Sequence, residues 1–118
     1  MAALQSPPVH STDAARLRAL AEYAILDTDQ EDAFDQLAML ATQLCGTPMA
    51  VVNFLDAERQ WFKAAVGVPM RETPRSEAFC DHALRSPHQP TVVEDTTRHP
   101  IFATYPSVVG EPHIRFYA

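Results

Sequence analysis

Apolar residues in this chain recur first at helical spacing and then in short unbroken runs, and that change of period divides it into helices followed by strands. The Ser11-Thr12-Asp13 cluster carries side chains able to cap a helix, Leu17, Leu20 and Ala24 mark one face of that helix, and Ile25-Leu26-Asp27 ends it. Thr28-Asp29-Gln30-Glu31 reads as a capping box for a second helix, in which the Thr28 hydroxyl and the Glu31 carboxylate each satisfy a backbone donor. Ala33, Phe34, Leu37, Leu40, Ala41 and Leu44 follow at helical spacing, with Asp32, Asp35, Gln36 and Gln43 on the other side, and Gly46 and Pro48 stop the helix.

Past Pro48 the pattern predicts a strand over Met49–Leu55, a polar connection at Asp56-Ala57-Glu58-Arg59 and a strand over Gln60–Gly67, which together form an antiparallel hairpin. Trp61 and Phe62 alternate across the second strand and are assigned to the core rather than to a stacking platform. Val68–Pro74 reads as a loop, Ser76 as the cap of a short helix over Glu77–Arg85, and Thr91–Glu94 as a third strand. Asp95 caps a turn across Thr96–His99, Pro100–Tyr105 adds another, and Pro106–His113 is loop before a last apolar run at Ile114–Ala118. The result is an α+β fold, with helices packed on an antiparallel sheet. Met1–His10, with Pro7 and Pro8, reads as a flexible leader and residues 11–118 as one domain. A strand opening with Ile114, Phe116 and Tyr117 expects partners on both sides, so the chain is expected to be a fragment of a domain.

Composition narrows the function classes. With 47% hydrophobic residues in 118, the chain has enough apolar surface for a modest core and is not a disordered tail. Its net charge of -6 and singly scattered Lys and Arg leave no basic stripe, so no nucleic-acid partner is expected. No apolar run approaches a membrane span, and the first residues lack the pattern of a signal peptide, which points to the cytoplasm and away from membranes. Cys45 and Cys80 are too few and too far apart for a disulfide framework. Together with His10, His82, His88, His99 and His113 they fall in no metal-ligand spacing, so no metal is expected. Asp95 and His99, four apart, read as local stabilisation. There is no glycine-rich phosphate loop, nucleophile elbow or recognisable carboxylate pair, and the chain is not read as an enzyme.

The stretches Arg16–Leu20, Tyr23–Thr28, Phe34-Asp35, Asp56–Lys63, Arg71–Arg75, Phe79–Ala83 and Gly110–Ala118 closely resemble bacterial GAF domains, and together they cover nearly everything after the leader. The resemblance implies a sensory module of the kind that precedes a histidine kinase or a diguanylate cyclase, and, because the segment matching Ile114–Ala118 is a central strand in such domains, one that lacks its last strands and C-terminal helix. It implies a small-molecule ligand, of a class the sequence does not name, held between the sheet and the loops around Arg71–His82 and Pro106–His113, with the first helix as transmitter. No cofactor is identified.

The candidate ligand-binding residues are Phe79, Cys80, His82, His113, Arg115 and Tyr117. Photosensory relatives attach a bilin to a cysteine beside a histidine, but here Asp81 separates Cys80 from His82; the plainer reading makes Cys80 a small core residue and His82 an internally bonded imidazole, and a redox-sensing thiol is a third. Arg115 and Tyr117 share a strand face and with His113 can line the ligand side, where Arg115 suits an anionic or carbonyl group; a salt bridge from Arg115 to Glu111 is an equal alternative. Free methionine-R-sulfoxide reductases also resemble GAF domains, but their cysteine pattern is not this one. The competing class is an interaction module that dimerises through its two amphipathic helices and takes no ligand; a homodimer is expected under both readings.

Overall fold

The structure, a computed structural model, describes residues 9–118, with side chains from Asp13 onward. Most of the expected leader, and the side chains of His10, Ser11 and Thr12, lie outside the described residues. Helix α1 spans Val9–Tyr23, so Ser11 and Thr12 belong to its opening turns rather than to a cap ahead of it. The chain forms two compact units that divide between Arg75 and Ser76.

The first unit contains α1, α2 (Asp32–Cys45) and strands β1 (Ala50–Leu55), β2 (Arg59–Val66) and β3 (Glu72–Pro74), in an antiparallel sheet of order β1-β2-β3. These helices and this sheet make the α+β fold that the sequence pattern predicts. Ala24 and Asp27 take positive φ values of 50° and 61°, which turn the chain out of α1 one residue after Tyr23, earlier than Ile25-Leu26-Asp27 suggest. Gly46 closes α2 with φ 63° and donates its N–H to the Thr42 carbonyl, the left-handed ending that glycine allows at little cost.

The capping box does not form. Glu31 occupies the N-cap position without a side-chain cap bond, and the Thr28 hydroxyl donates to the Ile25 carbonyl at 2.6 Å. The reason is Lys63, whose side chain is buried on β2 and whose ammonium takes the same groups: Thr28 Oγ1 at 2.8 Å, the Asp29 carbonyl, and the Glu31 carboxylate at 2.7 Å. A buried cation outbids a helix N-terminus for a carboxylate, because leaving it unpaired costs more than leaving a solvent-reached N–H uncapped.

Helix α2 packs on β1 and β2, but not through the stripe expected. Ala38 is 1% exposed, with Phe34 and Thr42 half-buried one turn to either side, whereas Leu37 and Leu40 are exposed and Leu44 is 77% exposed. The apolar arc of α2 is wide, and the sheet covers its Phe34-Ala38-Thr42 edge, where the small Ala38 lets the backbones approach.

In the hairpin, Val52 pairs with Ala64 and Asn53 with Phe62, a bulge that leaves Lys63 without a residue opposite. Gln60, Trp61, Phe62, Lys63 and Ala64 are all buried in succession on β2, the central strand of the sheet. β3 lies inside the expected Val68–Pro74 loop: Glu72–Pro74 pair with Trp61–Arg59, and the Phe62 N–H reaches the Arg71 carbonyl at 3.0 Å.

The second unit is built on α3 (Phe79–Ala83) and α4 (Pro106–Val109), with short 3-10 turns at Thr96–Arg98 and Phe102–Thr104. α3 is shorter than the expected Glu77–Arg85 helix; Ala78 is its N-cap, and Ser76 sits in a 3-10 turn, Arg75–Glu77. α4 occupies the expected Pro106–His113 loop, with Pro106 in its first turn, where a missing N–H costs nothing. The strands expected at Thr91–Glu94 and Ile114–Ala118 reduce to one antiparallel bridge, in which Val93 and Tyr117 exchange backbone bonds of 2.7 and 2.9 Å. Asp95 turns the chain away at one end, its carboxylate accepting from Thr97 N–H at 3.0 Å as the cap the sequence predicts. His113, at φ 58°, turns it at the other. The core is Phe79, Phe102 and Val108, with Val93, Tyr105, Ile114 and Tyr117 packed against it.

Candidate functional site

Four of the six candidate residues meet in the second unit. The first turn of α3 presents Phe79 and Cys80 on the side of the Val93–Tyr117 bridge. The Tyr117 ring stacks on Phe79 at 5.0 Å, and its hydroxyl lies 3.5 Å from Cys80 Sγ, a contact in which either atom can donate. Burial, then the Cys80 thiol beside it, pushes the Tyr117 phenol well above its ordinary range, so it is a neutral hydrogen-bonding group. Cys80 is half-buried, and neither it nor Cys45 is in a disulfide. Phe102, 0% exposed, stands edge-on to Phe79 at 4.6 Å.

His82, one turn further along α3, packs edge-on against Phe102 at 5.3 Å and against His99 at 5.2 Å. Its Nδ1 is buried and has no hydrogen-bond partner among the described residues. Burial first, then His99 and Arg85, hold its pKa below the ordinary imidazole value, while Asp81 opposes them. His99 lies flat on Phe102 at 4.1 Å, and its Nδ1 accepts from the N–H groups of Ile101 and Phe102, both at 3.1 Å.

His113 and Arg115 do not join this cluster. Arg115 Nη1 donates to the Val108 carbonyl at 2.9 Å and the Ile114 carbonyl at 3.2 Å, bracing α4 rather than pairing with Glu111. His113 instead faces Glu111, Nε2 to Oε1 at 3.6 Å, with both side chains open to solvent.

In the first unit, charge gathers at the hairpin end. Arg59 holds Asp27 through two bonds of 2.7 and 2.9 Å and also reaches Glu72 at 3.1 Å and Asp56 at 3.4 Å. Its guanidinium keeps the Asp27 carboxyl below the usual carboxylate value. Arg75 takes Asp13 at 3.0 and 3.2 Å and the Asp56 carbonyl at 3.2 Å, and with Arg16 lowers the Asp13 pKa. Beside these pairs, Asp56–Arg59 and Glu72–Pro74 line an open groove of about 600 Å³. Among the described residues no group of three His, Cys, Asp or Glu side chains is placed to hold a metal.

Three contributors escape the sequence reading. Lys63 looks like a surface lysine on a strand, yet it sits buried at the bulge of the central strand. Phe102 sits in a segment read merely as a turn. His99, set against Asp95 by spacing, caps Ile101 and Phe102 instead; the legible signal is a side-chain acceptor placed just before Pro100.

No protein-family model matches the chain. It is 35% identical over 115 residues, 98% of its own length, to a cyclic di-GMP phosphodiesterase of Pseudomonas aeruginosa. The chain spans 19% of that protein's length, so the homology is distant and confined to the N-terminal fifth of a bacterial signalling enzyme, outside its catalytic region. No helix among the described residues is long and apolar enough to cross a membrane.

Proposed function

We propose that residues 11–118 are a GAF-type sensory module of bacterial signal transduction, acting in the cytoplasm as a homodimer and working by ligand binding rather than catalysis. The observation that carries this reading is the match along nearly the whole chain to the region that precedes the catalytic part of a signalling phosphodiesterase. The output served by this module is then an attached or partner domain of the same signalling class, one that makes or degrades cyclic di-GMP or a histidine kinase. The ligand is a small molecule held at the Phe79, Cys80, His82 and Tyr117 cluster, where aromatic faces meet a thiol and a phenol. A ligand bound there switches an output only if it prefers one arrangement of the module over another.

A second reading, an interaction module without a ligand, is favoured by the exposed Leu37, Leu40 and Leu44 of α2. Native mass spectrometry of the purified chain beside its denatured mass separates the two. An added mass lost on denaturation supports the sensor and weighs its occupant, and one that stays on the Cys80 peptide identifies a covalent chromophore. A dimer that stays bare, and whose melting temperature no nucleotide or metabolite shifts, overturns the sensor in favour of the interaction module.

A further inference from the structure

In the second unit two histidines touch each other, and the arrangement works only while both are neutral. His99 Nδ1 accepts two backbone N–H groups, from Ile101 and Phe102. An imidazolium has no lone pair on either nitrogen and accepts nothing, so a proton taken from solvent onto Nδ1 deletes both bonds and places an N–H against two N–H groups. Those bonds tie down the entry to the Phe102–Thr104 turn, and Phe102 is the completely buried ring at the centre of the unit's core, in contact with Phe79, His82, His99, Tyr105 and Tyr117.

We propose that His82 and His99 form a proton-operated latch on the second unit, which holds the Phe102 turn shut while both rings are neutral and releases it when His99 is protonated. Two cationic rings 5.2 Å apart would also repel each other, so protonation of the pair favours separation. The charges around the pair do not cancel this. On α3, Asp81 favours a charged His82 whereas Arg85 opposes it. Arg98 neighbours His99 in sequence, the Asp95 carboxylate is engaged by Thr97, and the Tyr105 and Tyr117 phenols, both raised by burial, stay neutral. The Cys80 thiol is turned to Tyr117. Opening the turn would uncover Phe79 and Tyr117, the ring pair beside Cys80, so acidification reaches the same cluster to which the ligand is assigned. The latch itself rests on the histidine geometry and stands whether or not a ligand binds.

Residue-resolved amide exchange on the whole chain, normalised to intrinsic rates, tests it at about pH 7.5 and about pH 5.5, either side of the imidazole range. Protection of the Ile101 and Phe102 amides is expected to fall by about tenfold or more at the lower pH, while the β1–β2 amides hold. In His99→Asn, an amide oxygen that does not titrate replaces Nδ1 as acceptor, and the loss of protection with pH should disappear. Equal protection of the two amides at both values, or an undiminished response in His99→Asn, overturns the latch. Should that variant not fold, the ring nitrogen shifts of the unmodified protein decide: at the higher pH His99 must carry its proton on Nε2, and a proton found on Nδ1 ends the proposal.

Discussion

Lys63 shows how one side chain can cost a local signal and supply a better anchor. Its ammonium is 1% exposed with its residue, while Glu31, its counter-charge, stays in reach of water. The two ends of the pair are therefore not equivalent. Lys63→Met removes the buried charge and lets Thr28 and Glu31 rehydrate, so it should cost about 1–2 kcal/mol in urea unfolding; Glu31→Ala strands the cation and should cost more, about 2–3 kcal/mol, below the range for a fully buried pair because this one borders solvent. An equal or reversed order would mean that the carboxylate does little for the lysine. Two glycines allow a second comparison. Gly46 and Gly67 both have positive φ, 63° and 73°, but an added Cβ meets nothing within 4 Å at Gly46 and lies 2.3 Å from the Pro48 carbonyl oxygen at Gly67. Gly46→Ala should cost about 1 kcal/mol for the left-handed backbone alone, and Gly67→Ala several times that, because backbone has to move. Thermal unfolding of the two variants side by side reads the difference directly.

At the scale of elements, α1, α2 and the hairpin are legible because their signals are local: period, glycine stop and polar connection all lie within one segment. What was not legible depends on partners distant in sequence. The face of α2 that packs is chosen by the sheet, and the sequence stripe centred on Leu37, Leu40 and Leu44 marks the opposite edge of the same apolar arc. Ala38→Leu should therefore cost about 1–3 kcal/mol through overpacking, while Leu40→Glu on the exposed edge should change stability by less than about 0.5 kcal/mol. Equilibrium denaturation of the pair tells which face is buried. Three residues carry no period, so β3 leaves no mark in the sequence, and the apolar runs around Val93 and Tyr117 form a single bridge because β propensity reports a half-buried surface, not a ladder. Of the candidate residues, Phe79, Cys80 and His82 stand in one chemically distinctive run and Tyr117 in an aromatic one, and the fold brings these four together. Arg115 lies apart from Tyr117 because strand alternation does not apply where only one residue bridges.

For the whole molecule, the shifted groups set how stability responds to acid. Asp13, Asp27 and Asp95 are lowered from 3.8, chiefly by Arg75, Arg59 and Thr97 in turn. Each contributes stability that is present above 3.8 and is lost as pH falls through its lower folded value. His82 is lowered from 6.5, so the unfolded chain binds its proton first, and its contribution begins to be lost as pH falls below 6.5. Melting temperature against pH should therefore be flat between neutrality and 10, decline in one step below 6.5 and again below 3.8, and decline above 10, where the unfolded chain gives up the Tyr105 and Tyr117 protons first. His82→Phe should remove much of the first step and leave the second, which differential scanning calorimetry across that range would show. A net charge of -6 adds a gentle background, since acid titrates away part of the chain's self-repulsion before cationic charge builds up.

The unpaired position at Lys63 also bears on how this chain tolerates change in length as opposed to change in chemistry. Substitutions at that site act on the tie to the α1–α2 connection, but a gap of one residue there would leave every pairing from Ala50–Val66 to Leu55–Gln60 in register while removing the tether. The hairpin and the docking of that connection are separable traits. The ladder can be inherited intact by a relative one residue shorter, whose helices are then free to seat elsewhere on the same sheet.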